Sequence, residues 1–101
     1  MNTSETITLL AVLKARPGKI EMLKHALRAL LEPTRQEAEN IEYQLFQLRD
    51  APDCFYVRES WKSLKGLEDH VLLPHFQSFL VQSEHLLAEP LRLEYLTLIE
   101  A

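Results

Sequence analysis

His70 and His75 lie in the run ESWKSLKGLEDHVLLPHFQSFL (59–80), which also holds Glu59, Trp61 and Phe76. Imidazole titrates near neutrality, so it takes up and releases protons at cellular pH. A carboxylate among apolar neighbours is rare without a partner, and aromatic rings either fill a core or wall a site for a flat ligand. The run therefore reads either as the edge of an ordinary core or as the lining of a cavity where a ligand is bound and changed.

The 101 residues are read as a single domain, 1–101, of a size whose core profits from a partner subunit. Hydrophobic residues make up 47% and charged residues 26%, with 2 Gly and 5 Pro, a composition that folds compactly. Fifteen acidic against eleven basic residues give a net charge of −4 without a Lys/Arg cluster, which argues against nucleic acid or an anionic membrane as partner. Cys54 is the only cysteine, and MNTSETITLL has neither the basic start nor the apolar run of a signal peptide or membrane span; a reducing cytoplasm is expected.

The elements that must position the histidines follow from periodicity. TITLLAVLKA (6–15) reads as a strand ended by Pro17 and Gly18. From Pro17 onward, Ile20, Leu23, Leu27, Leu30 and Leu31 recur at helical spacing, with Arg28, Glu32 and Arg35 on a solvated face and Pro33 kinking or tightening the last turn. IEYQLFQLR (41–49) and CFYVRESW (54–61) read as a hairpin across Asp50–Asp53. Ser63 caps a short helix carrying Leu64, Leu67 and Val71; Pro74 breaks it, a further helix carries Phe76, Phe79 and Leu87, and LRLEYLTLI (91–99) is the last strand. The order βαββαβ predicts a ferredoxin-like α+β fold, one four-stranded antiparallel sheet with its helices on one face. Alternation then leaves Leu10, Val12, Phe46, Leu48, Leu96 and Leu98 on the other face, which predicts a homodimer formed sheet to sheet.

Within that order, ARPGK (15–19), EPTRQE (32–37), Tyr43, the pair Glu59 and Trp61, and HVLLPHF (70–76) resemble the antibiotic biosynthesis monooxygenase domain, a family that dimerises into an α/β barrel and includes quinol monooxygenases. The similarity spans most of the chain; the helix-to-strand turn near residues 38–40 departs from the Pro-Gly-Cys found in many members. It implies oxygenation of a quinol, phenol or anthrone-like substrate, whose anion passes an electron to dioxygen while the protein accepts a proton and excludes water. No glycine-rich phosphate loop is present, and His70, His75 and Cys54 lack metal-ligand spacing, so neither cofactor nor metal is expected.

On this basis His70 and His75 are the candidate catalytic residues, and Tyr43, Glu59, Trp61 and Phe76 the candidate substrate-binding ones. His70, near the end of its helix, is placed where the dipole favours imidazolium, and His75, at a helix start, where it favours neutral imidazole. Trp61 has an indole N–H to offer a substrate oxygen. Glu59 must either find a basic or histidine partner or reach solvent. Two other functions fit the residues: an isomerase of a small enolisable substrate, or a non-catalytic dimeric domain that binds a ligand or serves in stress, in which the histidines only fill space.

Overall fold

Residues 5–100 are described by a computed structural model. Residues 1–4, part of the segment read as lacking a targeting signal, lie outside it. Strand β1 spans Ile7–Lys14, and Ala15 makes an isolated bridge to Leu87. Pro17 does not begin the next helix. Arg16–Lys19 closes a turn through Lys19 N–H to Arg16 O at 2.9 Å, with Pro17 followed by Gly18 at φ 78°. A left-handed residue after proline is the geometry of a type II turn, and it requires glycine. Helix α1 starts three residues beyond the proline, at Ile20, and runs to Arg35.

Pro33 sits inside the last turn of α1, where losing one backbone donor is tolerated; Gln36 and Glu37 then bond back to Pro33 O and Thr34 O at 3.3 and 3.0 Å. This tightened end aims Glu37 inward, just before β2 (Asn40–Gln47). β3 (Cys54–Trp61) has the boundaries its sequence predicts. Ser63 caps α2 (Leu64–His70) by accepting from Gly66 N–H at 3.1 Å. Pro74 is the first residue of α3 (Pro74–Leu86), where its missing N–H would be unpaired in any case. β4 is shorter than expected, Arg92–Leu96 instead of 91–99.

The sheet order is β2-β3-β1-β4, all antiparallel, which is the ferredoxin-like arrangement. Leu9, Ala11 and Leu13 of β1 and Phe55, Val57 and Trp61 of β3 meet Leu23, Leu27 and Leu30 of α1 and Phe79 of α3 to form the core. The other face differs from expectation. Leu10, Val12, Phe46 and Leu96 share it, but Leu48 and Leu98 fall outside the strands, and the centre is polar. There Arg58 pairs with Glu42 at 3.1 Å and donates to Gln44, while Ser60 bonds Glu42 and Thr8. The face is a patchwork of apolar and charged groups rather than an apolar sheet.

One glycine sets the packing of α2. A Cβ at Gly66 would lie 2.5 Å from Glu39 Cβ, and Glu39 is held in place by Lys62 N–H to Glu39 O at 2.9 Å. Gly66→Ala ordinarily gains about 1 kcal/mol inside a helix. Here overpacking of about 1–3 kcal/mol outweighs that gain, so the variant should melt several degrees lower than the parent in a thermal scan.

Candidate functional site

Every residue nominated from the sequence comes from the elements at one end of the sheet: Tyr43 from β2, Glu59 and Trp61 from β3, His70 from the end of α2, and His75 and Phe76 from the first turn of α3. The break at Pro74 folds α3 back so that both imidazoles approach each other, with ring centroids 5.8 Å apart. His70 is not at a rim. Its exposure is 1%, and its ring is packed against Trp61, Phe76 and Tyr43 at centroid distances of 4.7, 5.0 and 5.8 Å. Burial drives its pKa below the ordinary value, against the opposing pull of the Glu37 carboxylate. The helix-end dipole expected to favour imidazolium is thus outweighed by desolvation.

A residue absent from the sequence nominations connects the two rings. Glu37, just beyond α1, places a single oxygen, Oε2, 2.7 Å from His70 Nδ1 and 2.7 Å from His75 Nε2. Its only sequence signal is an acid following the helix inside EPTRQE, together with the rule that a buried imidazole needs a partner. The remaining nitrogen of His70, Nε2, is buried and has no hydrogen-bond partner among the described residues, a condition it shares with Thr34 Oγ1.

His70 lines a cavity of about 170 Å³ together with Tyr43, Glu59, Phe76, Leu27 and Leu93. Apolar engineered cavities of about 150 Å³ accept benzene, whereas drug-sized ligands occupy about 300–1,000 Å³, so the space suits one ring. Larger surface depressions, of about 450 to 860 Å³, contain none of the nominated residues. His75 and Trp61 do not line the cavity. His75 stands behind His70, and the Trp61 indole N–H is already given to Glu59 Oε1 at 2.9 Å.

Glu59 has neither the basic partner nor the solvent its burial was expected to demand. Burial pushes its carboxyl up to about 7; the Trp61 N–H opposes the rise and the Glu37 charge adds to it. Tyr43, opposite Glu59 in the sheet register, is driven well above its ordinary value by burial and then by the Glu59 charge, which keeps it a neutral O–H. Arg35, read as solvated, donates from Nε and Nη2 to Tyr43 O at 3.0 and 2.7 Å, which ties the end of α1 to β2. Cys54 is unpaired and remote from the site.

Glu37, His70 and His75 carry the donor types of a metal site. Around a metal, however, ligand atoms about 2.1 Å from the ion stand about 3 Å or more apart. The two 2.7 Å separations are those of charge-assisted hydrogen bonds converging on one oxygen. No helix among the described residues is long and apolar enough to cross a membrane.

Residues 6–82 match the family model for antibiotic biosynthesis monooxygenase. YcnE of Bacillus subtilis, provisionally named a monooxygenase, is 32% identical over 85 residues, covering 84% of this chain and 90% of its own. The crystal structure of PA3566 from Pseudomonas aeruginosa superposes with a TM-score of 0.90 at 35% identity, over 99% of this chain and 100% of that one. Rv0793 from Mycobacterium tuberculosis follows at 0.89 and 25% identity, over 96% and 98% of the two chains.

The raised Glu59 carboxyl makes stability depend on pH. Because its folded value exceeds the ordinary 4.5, the folded state holds the proton more tightly; this contribution is complete below pH 4.5 and is lost as pH rises through about 7. The loss is about 3 kcal/mol. Glu59→Gln keeps an acceptor for the Trp61 N–H without an ionisable group. Denaturant unfolding should therefore show a smaller fall in stability between pH 5 and pH 8 for the variant than for the parent.

Proposed function

Because the chain belongs to the antibiotic biosynthesis monooxygenase family, we propose that it is a monooxygenase that oxygenates a single-ring phenol or hydroquinone with dioxygen, the substrate itself supplying the electrons. The observation that supports this reading is the buried, unpartnered Nε2 of His70, a residue that lines an apolar cavity of one-ring size. A ring hydroxyl placed in this cavity loses its proton to Nε2, and the surrounding apolar walls exclude the water that would otherwise stabilise the anion. The phenolate passes one electron to dioxygen. The resulting radical and superoxide join at a ring carbon, and the imidazolium returns its proton to the peroxide. Cleavage of the O–O bond, with the hydrogen of that carbon leaving as part of water, gives the quinone. A phenol and dioxygen thus become a quinone and water, with atoms and electrons balanced and no outside reductant.

Tyr43 and Glu59 are the other polar groups at the cavity wall, and each offers an O–H to a substrate or product oxygen while protonated. The same pair of proton carriers, His70 and Glu59, also suits an isomerase that moves a proton within a small enolisable substrate. Oxygen consumption separates the two.

We also propose that two copies pair through the outer sheet face, around Val12 and Phe46. Phe46, 47% exposed, can be changed without opening the core. Light scattering at micromolar concentration should give a dimer for the parent and a smaller species for Phe46→Asp; a monomeric parent would remove the proposal.

With hydroquinones and phenols as substrates, His70→Asn should lower oxygen uptake and quinone formation by about a hundredfold or more, with KM little changed. Full activity in the variant would assign His70 to packing. Turnover by the parent at an equal rate without oxygen would favour the isomerase.

A further inference from the structure

The contact with Glu37 decides which nitrogen of His70 is left unpartnered. An isolated neutral imidazole carries its proton on either ring nitrogen, and only the form with the proton on Nδ1 leaves Nε2 a lone pair. His70 Nδ1 points at Glu37 Oε2 from 2.7 Å, and a carboxylate oxygen only accepts, so the proton of neutral His70 belongs on Nδ1. The same oxygen receives His75 Nε2 at 2.7 Å, and Glu37 is only 11% exposed, so the carboxylate is held by two imidazoles at once. His75 is 22% exposed and does not line the cavity, which separates it from the reacting centre.

We infer that Glu37 is a positioning residue that holds His70 as the Nδ1–H tautomer and offsets the charge of the imidazolium formed when Nε2 takes a proton, and that His75 acts by anchoring Glu37 rather than by touching substrate. The effect on turnover rests on the proposed monooxygenase reading; the tautomer does not. The charged and titratable groups that contact His70 or share its cavity are Glu37 beyond α1, Tyr43 of β2, Glu59 of β3 and His75 of α3. Of these, Glu37 is the one bonded to the imidazole.

Nitrogen-15 spectra of the imidazoles read the tautomer directly, with no substrate present. In the parent at pH 8, His70 should show a protonated Nδ1 and an unprotonated Nε2. Glu37→Gln keeps an acceptor oxygen without the charge: the tautomer should persist while kcat falls at least tenfold with KM unchanged. Glu37→Ala removes the acceptor: the Nε2–H form should appear and kcat should fall further. His75→Gln, which retains a donor amide, should stay closer to the parent in both readouts than His75→Ala. Thermal midpoints identify any variant that is simply unfolded, and the parent spectrum decides the tautomer whatever the variants do. A parent with the proton on Nε2 would overturn the inference, as would stoichiometric capture of added Zn²⁺ with loss of both the His70 Nδ1 and His75 Nε2 proton signals. If the parent proves inactive on every phenol tested but shows the Nδ1–H form, the positioning stands and the monooxygenase reading fails.

Discussion

Two imidazoles sharing one carboxylate oxygen is the contact around which this end of the molecule is arranged. A polar ring 1% exposed among Trp61, Tyr43 and Phe76 costs several kcal/mol if left without a partner, and Glu37 Oε2 provides that partner. The carboxylate in turn is stable at 11% exposure because it accepts from two imidazoles. This requires three chain segments to meet: the tightened end of α1, the last residue of α2, and the first turn of α3 beyond Pro74. Arg35 bonding to Tyr43 O and Lys62 bonding to Glu39 O hold the α1–β2 connection in position.

Glu59 and Trp61 form a second polar pair in the same wall. Their hydrogen bond is a local event, two residues apart on one face of β3, yet it leaves a carboxyl that is easily protonated close to a histidine that is reluctant to accept charge. Burial moves both groups toward their neutral forms. Below about pH 7 the cavity that both residues line therefore carries little charge, which keeps the cost of excluding water low.

Features encoded by neighbours in sequence were legible there. The limits of β3, the Ser63 cap and the helix start at Pro74 each depend on a few adjacent residues, and the element order led to the ferredoxin-like topology. What the sequence hid was long-range. His70 reads as the edge of an apolar stripe because nothing local indicates that α3 will fold across it or that Glu37, 33 positions earlier, will reach its Nδ1. The outer face was misread for a different reason. Positions 42, 44 and 46 share a face by strict alternation, so Glu42 and Gln44 had to accompany Phe46, and attention to the leucines alone concealed them.

The walls of the cavity are secured unequally. Leu93 belongs to β4, whose five residues are all exposed and which pairs with β1 alone, whereas the opposite wall is fixed by the Glu37 clamp and the Trp61–Glu59 bond. An amino-acid change on β4 perturbs a marginal edge, whereas one at His70 or Glu37 disturbs a network in which each polar atom depends on another. Diversification among descendants of this chain is thus cheapest on the strand that shapes the far side of the cavity, and costly at the end held by Glu37 and His70. Lineages can drift in the shape of this space while retaining the same polar network.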